Sequence, residues 1–182
     1  MLDKRNFYIN GQWIAPLKIN DFSVINPSNE EPCAIISLGS VEDTDSAVKA
    51  AKEAFPSWKK TSKEERISLI QKLYEIYKSR RDEMTEAISM EMGAPLDWAS
   101  SVQTASGEVA IKDFIKRLKN FEFESTFGEG SDNYIAYEPI GVCGLITPWN
   151  FPINQIALKV IPALATGCTT ILKPSEIAPI SP

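Results

Sequence analysis

Three polar side chains near the end of the chain have types and spacing suited to chemistry: Asn150, Lys173 and Glu176. Between Gly141 and Pro182 the only charged residues are Lys159, Lys173 and Glu176, and two of them share one motif, Lys173-Pro174-Ser175-Glu176. A nearly uncharged stretch ending in a cation and an anion reads as core running up to a ligand. Glu176 can accept both hydroxyls of a ribose, and its charge would repel a phosphate on the 2′ oxygen. Lys173 can donate to the same ribose or to a phosphate. The bland alternative is a solvated ion pair, which contributes little. Asn150 offers an uncharged amide donor between two bulky rings, Trp149 and Phe151. Fixed in a dry cleft, such a donor stabilises a developing oxyanion by roughly 3 kcal/mol. On spacing alone, however, Asn150 fits better as a cap for the helix that follows Phe151-Pro152.

A βαβ unit must position these residues. Residues 142–147 read as a buried-type strand. Phe151 or Pro152 opens a helix that runs to about Ala165 and is ended by Gly167, and residues 169–173 form a second strand. Strand, crossover helix and strand within about 32 residues imply a right-handed parallel pair. The helix is apolar on almost every face, with Ile153, Ile156, Leu158, Val160, Ile161 and Leu164, so it must be buried on more than one side. In open α/β sheets, ligands bind beyond the carboxyl ends of the strands. Thr147-Pro148-Trp149-Asn150 follows the first strand and Lys173-Pro174-Ser175-Glu176 the second, so Asn150, Lys173 and Glu176 are expected to line one cleft.

The preceding sequence supplies strands and then helices. Phe7-Tyr8-Ile9 and Trp13-Ile14 flank Asn10-Gly11, a type I′ hairpin signal. Residues 22–25 and 33–38 read as further strands. Ser40 caps a helix expected to run to about Phe55, before Pro56. Ser62-Lys63-Glu64-Glu65 fits a capping box, and the stripe Ile67, Ile70, Leu73/Tyr74, Tyr77 has helical spacing. A third helix covers residues 81–92 with Gly93 at C′, and Pro95 suits position N1 of a long helix ending near Lys119. Residues 121–127 and 133–138 read as two strands around Gly128-Glu129-Gly130, a long aromatic hairpin with Phe123, Phe127, Tyr134 and Tyr137. It is either an ordinary surface hairpin or an exposed edge used for assembly.

Composition removes several function classes. A net charge of -5 with no basic stripe argues against nucleic acid as a partner. Acidic and basic residues are interleaved, and no run of apolar residues is long enough to span a bilayer, so no membrane partner is expected. The first residues carry no apolar run of signal-peptide length. Cys33, Cys143 and Cys168 are odd in number and widely spaced, which fits neither a disulfide framework nor a zinc site. A reducing cytoplasm is the expected compartment. They read as inert core thiols, because nothing nearby in the sequence lowers their pKa. The chain has no histidine, which removes a Ser-His-Asp triad, a Cys-His pair and any His-ligated metal from its own residues.

Taken in order, five pieces resemble the N-terminal part of the aldehyde dehydrogenase superfamily. They are Asn26-Pro27-Ser28, Glu138-Pro139-Ile140-Gly141-Val142, Pro148-Trp149-Asn150-Phe151-Pro152, Pro162-Ala163-Leu164-Ala165-Thr166-Gly167 and Lys173-Pro174-Ser175-Glu176. The likeness covers essentially the whole chain. It implies NAD(P)-dependent oxidation of an aldehyde to a carboxylic acid through a covalent thiohemiacetal and thioester. By resemblance Asn150 matches the oxyanion-hole asparagine, and Lys173 and Glu176 match the residues that hold the adenosine ribose. A glutamate there favours NAD over NADP. Ile146, Thr147, Pro148 and Trp149 match the segment that runs along the cofactor. Val24, Ile25 and Glu91 fall where many members bind a monovalent cation, and no metal site is assigned on that basis. The aromatic hairpin matches part of an oligomerisation arm, which implies a homo-oligomer, dimer or tetramer.

The resulting expectation is an α/β fold: an incomplete Rossmann-like parallel sheet with N-terminal strands, a helical segment and an oligomerisation hairpin. Residues 1–120 would hold the strands and helices of the cofactor-binding domain, 121–140 the hairpin, and 141–182 its first βαβ unit. The resemblance places the nucleophilic cysteine, the general-base glutamate and the second glycine-rich loop beyond position 182. Residues 178–182 read as the cap and first turn of a further helix. The isolated chain is therefore expected not to turn over aldehyde. The competing expectation is a non-catalytic binding or interaction module derived from the same family.

Overall fold

The structure, a computed structural model, describes residues 1–128, 130 and 132–182. Strand β1 (Leu2–Lys4) is too short and polar to announce itself in sequence. It forms because strand β5 (Glu31–Ser37) offers it a parallel edge, giving a three-stranded sheet in the order β1-β5-β4 with β4 (Asp21–Asn26) antiparallel to β5. Between them, β2 (Phe7–Ile9) and β3 (Gln12–Ile14) make the expected hairpin. Asn10 and Gly11 take φ of 52° and 76°, as a type I′ turn requires.

Helix α1 (Val41–Trp58) starts at a full capping box. The Ser40 hydroxyl accepts from the Asp43 amide, and the Asp43 carboxylate accepts from the Ser40 amide. The helix does not stop at Phe55 as expected but carries Pro56 within it. A proline this near the end forfeits one bond to the preceding turn, and the turn still closes through the Lys59 amide on the Phe55 carbonyl at 2.9 Å.

Helix α2 (Lys63–Ser79) has the second box, Ser62 with Glu65. Its inward stripe is Ile67, Ile70, Tyr74 and Tyr77, while Leu73 turns outward. Helix α3 (Arg81–Met92) ends at Gly93, whose φ is 67°. A β-carbon there would lie 2.8 Å from the Pro27 ring, so glycine is required both for conformation and for room.

Pro95 sits at the N-cap, not at N1. After it come α4 (Leu96–Trp98), a π-helical turn (Ala99–Thr104) and α5 (Ala105–Asn120). The expected single helix therefore contains a π turn that the apolar spacing did not reveal.

The aromatic hairpin is present with shorter strands, β6 (Glu124–Thr126) antiparallel to β7 (Tyr134–Ala136). Glu129 of its expected turn lies outside the described residues. Phe127, Tyr134 and Tyr137 are exposed, whereas Phe123 tucks under the Arg66 guanidinium.

Strand β8 (Val142–Ile146), helix α6 (Pro152–Ala165) and strand β9 (Thr169–Lys173) form the expected βαβ unit, with β8 and β9 parallel in a two-stranded sheet. Helices α1 and α6 both touch this pair. The strands are less covered than their buried-type sequences imply: most of their residues are half-buried, and Gly144, Ile146 and Lys173 are exposed. The main apolar core lies among α2, α3, α5 and α6, with Ile70, Ile88, Ile111, Ile115, Ile153 and Ile161 at 7% exposure or less. Each contributes about 1.5–3 kcal/mol by leaving water. This core holds α6, and with it the turn that carries Asn150. The fold is α/β, as expected.

Candidate functional site at the carboxyl edge of the parallel pair

Strands β8 and β9 end side by side. Ile146 pairs with Lys173, and the Thr147 amide donates to the Lys173 carbonyl at 3.3 Å. The two loops therefore leave the sheet at one edge, as topology predicts. The surface they form is an open edge, not the walled cleft expected from sequence: Ile146, Pro148, Trp149, Asn150 and Lys173 are all exposed, Ile146 to 74% and Trp149 to 49%. Thr147 is the exception. It is buried, and its hydroxyl has no hydrogen-bond partner.

Asn150 is not spent on the helix. Phe151 occupies the N-cap of α6, no side chain caps it, and Pro152 follows inside the first turn, where a missing amide costs nothing. The capping role favoured by spacing alone is thus set aside. Phe151 meets Trp98 edge-on, with ring centroids 5.7 Å apart and planes at 80°. This contact ties the Asn150 turn to α4. Sequence patterning missed Trp98, because nothing local links it to a residue 53 positions away.

The Lys173 ammonium and the Glu176 carboxylate are 2.9 Å apart, on side chains 61% and 42% exposed. The Glu176 backbone amide and then Lys173 hold its carboxyl below the usual carboxylate range. An exposed pair of this kind adds little to stability. It does keep an acceptor and a donor together at the sheet edge.

Glu91 on α3 is 1% exposed. One carboxylate oxygen accepts from the Ile180 amide at 2.5 Å, and the other accepts from the Ser181 amide at 3.0 Å and from the Ser181 hydroxyl. Burial pushes this carboxyl up, against the pull of those three donors. The Val24 carbonyl accepts the Cys33 thiol at 3.4 Å, and Ile25 is 44% exposed. Both Glu91 oxygens are thus engaged by donors, so these side chains do not fit a cation cage, and no role for a cation follows. The Ser181 hydroxyl donates to a carboxylate 90 positions away.

The thiols lie elsewhere. Cys143 is the second residue of β8 and Cys168 precedes β9, both at the end of the pair opposite Asn150. Burial, and then the neighbouring Cys168, push the Cys143 thiol up; burial does the same to Cys33. Among the described residues, no group of three or more His, Cys, Asp or Glu is placed to hold a metal ion, and no helix is long and apolar enough to cross a membrane.

Residues 13–182 match the aldehyde dehydrogenase family. The 3-succinoylsemialdehyde-pyridine dehydrogenase of Pseudomonas sp is 47% identical over 182 residues, which are 100% of this chain and 38% of that protein. The crystal structure of an aldehyde dehydrogenase from Bartonella henselae superposes with a TM-score of 0.98 at 55% identity, over 100% of this chain and 38% of the other. Aldehyde dehydrogenase C of Pseudomonas syringae, a mutant solved with NAD+ and octanal, superposes with a TM-score of 0.94 at 43% identity, over 97% and 36% of the two chains. The present chain thus spans 38% of the length of the curated relative it matches. Five ordered motifs, the βαβ geometry and a match over nearly every residue lead to one conclusion: the chain belongs to the aldehyde dehydrogenase family.

Proposed function

We propose that this chain provides the cofactor-facing part of an NAD-dependent aldehyde dehydrogenase site, for the reaction aldehyde + NAD+ + water to carboxylic acid + NADH + H+. The observation that carries this reading is an Asn150 left free of helix capping on the same sheet edge as the Lys173–Glu176 pair. The donor set fits a dinucleotide. Glu176 would accept the adenosine ribose hydroxyls, Lys173 would donate beside it, and Ile146, Thr147, Pro148 and Trp149 would run along the cofactor. When bound, the nicotinamide supplies the hydride acceptor. Asn150 would donate its amide hydrogen to the oxygen of the aldehyde as negative charge gathers there, which is where a fixed donor lowers a barrier. Glu176 also sets cofactor choice, since its carboxylate repels a 2′-phosphate and NADP is the poorer fit.

The chain by itself is proposed to be inactive. Its thiols lie at the opposite end of the β8–β9 pair or in β5, so none stands beside Asn150, and burial also pushes those of Cys33 and Cys143 up. In this reading residues 1–120 and 141–182 belong to the cofactor-binding domain, and residues 121–140, with exposed Phe127, Tyr134 and Tyr137, form an arm for homo-oligomer assembly in the cytoplasm. Calorimetric titration of the chain with NAD+ and NADP+ tests the core of the reading. NAD+ should bind more tightly by at least about tenfold, and E176Q should narrow the gap. Equal affinity for the two cofactors would sink the ribose assignment. Aldehyde-dependent NADH formation by this chain would sink the claim of inactivity.

A further inference from the structure

We infer that Glu91, on a helix remote in sequence from the sheet edge, is a positioning residue for the Lys173–Glu176 clamp and acts by tethering the far end of the clamp's loop. The inference rests on the reading that Glu176 receives a ribose. Residues 174–181 leave β9 at Lys173, whose carbonyl is fixed by Thr147 across the strand pair. The next fixed points are Ala178, at 1% exposure, and then Ile180 and Ser181 on the Glu91 carboxylate. Glu176 therefore stands midway in a short bridge with one end in the sheet and the other on α3. Pro174 and Pro179 remove two φ rotations from that bridge, so a fixed end is transmitted to Glu176 instead of being absorbed.

The tether is directional. Two successive backbone amides and the Ser181 hydroxyl converge on two oxygens of one buried carboxylate, an arrangement that fixes orientation as well as distance. An apolar contact of equal area would let the loop slide. The support behind Glu91 is rigid too: α3 terminates two residues later at Gly93, which is seated against Pro27 and Ser28.

A glutamine at position 91 keeps the shape but replaces one oxygen by an NH2, which faces either the Ile180 amide or the Ser181 amide and hydroxyl, so E91Q removes at least one N–H bond of the tether with little change in volume. S181A removes only the hydroxyl contact and gives a milder second variant, and S181T restores a hydroxyl. Two measurements decide the matter. In hydrogen exchange, E91Q should speed the amides of residues 175–181 by about tenfold or more, S181A by less, and S181T hardly at all, while the amides of α2 and α5 stay protected. In calorimetric titration with NAD+, E91Q should weaken affinity about tenfold in the natural chain but add little in an E176Q background, because the two residues act as one unit.

Unchanged exchange in both E91Q and S181A overturns the tether. Faster exchange with unaltered NAD+ affinity, or a loss that persists fully in the E176Q background, overturns the positioning role and leaves Glu91 a purely structural group. Failure of the unsubstituted chain to bind NAD+ strikes the proposed function itself, and is told apart because it shows without any variant.

Discussion

The two ends of the β8–β9 pair are built in opposite ways. At the amino end, Cys168 and Thr169 are buried, and the Thr169 hydroxyl donates to the Ala51 carbonyl of α1 at 2.9 Å. Arg66, itself 8% exposed, donates to the Ala165 carbonyl at 3.0 Å and stacks over Phe123, with its guanidinium carbon 5.1 Å from the ring centroid. A cation at the carboxyl terminus of α6 meets the negative end of the helix dipole and satisfies a carbonyl that the helix cannot. At the carboxyl end, Ile146, Trp149, Asn150 and Lys173 face outward, and the one ion pair is exposed. The same two strands thus carry a closed structural end and an open polar one. Stability should reside at the first and ligand recognition at the second.

The largest test of that division is R66A. It leaves the Ala165 carbonyl without its donor and removes the packing on Phe123, so it should lower unfolding free energy by about 3 kcal/mol, read from urea denaturation. Next comes Gly167→Ala. Gly167 holds φ of 85°, and a β-carbon there would sit 2.9 Å from the Arg66 guanidinium, so the cost should be about 1–2 kcal/mol. At the open end E176Q should shift stability by no more than about 0.5 kcal/mol, because it loses only an exposed ion pair. If R66A were silent and E176Q severely destabilising, the division would be reversed.

Two pH experiments sharpen the contrast. The Glu176 carboxyl lies below its ordinary value of 4.5, so it stays ionised as pH falls through that value. NAD+ affinity should accordingly persist through the ordinary carboxylate range and fall only below it. The smallest effect is expected at the closed end. The Cys143 thiol lies above its ordinary value of 9.0, so its alkylation by iodoacetamide at pH 8 should be slower than that of a free cysteine and should climb with pH beyond 9. A fast-reacting Cys143 near neutrality would show that this end is not closed.

Local chemistry was legible in the sequence, and long-range chemistry was not. The Asn10-Gly11 turn, the capping box at Ser62 and the βαβ unit all depend on residues close in the chain, and each appears as read. Strand β1 was missed because its three residues become a strand only when β5, about thirty positions later, supplies the edge. Leu73 and Tyr74 compete for one stripe, and packing against α5, including the Tyr74 hydroxyl on Glu108 at 3.3 Å, decides for the tyrosine. At the site, topology alone placed Asn150 and Lys173 on one edge. Spacing misjudged Asn150, because a proline at the helix start leaves fewer amides to cap. The Glu91–Ser181 contact spans 90 positions and joins residue types that each have a local explanation, so no pattern in the sequence reports it.

The π turn at Ala99–Thr104 has a consequence for how relatives should be aligned. Each residue of an α-helix advances the helix face by about 100°, so a wider turn that takes up one extra residue re-phases everything before it by about that angle. On one side of the turn, Gly107 keeps its seat against Tyr77 and Ile153; on the other, Trp98 meets Phe151 beside Asn150. A relative one residue shorter in this stretch could keep the whole helical core and still swing its counterpart of Trp98 away from the asparagine turn. A single-position gap here would therefore read as a change in the wall of the site, not as noise in a surface helix.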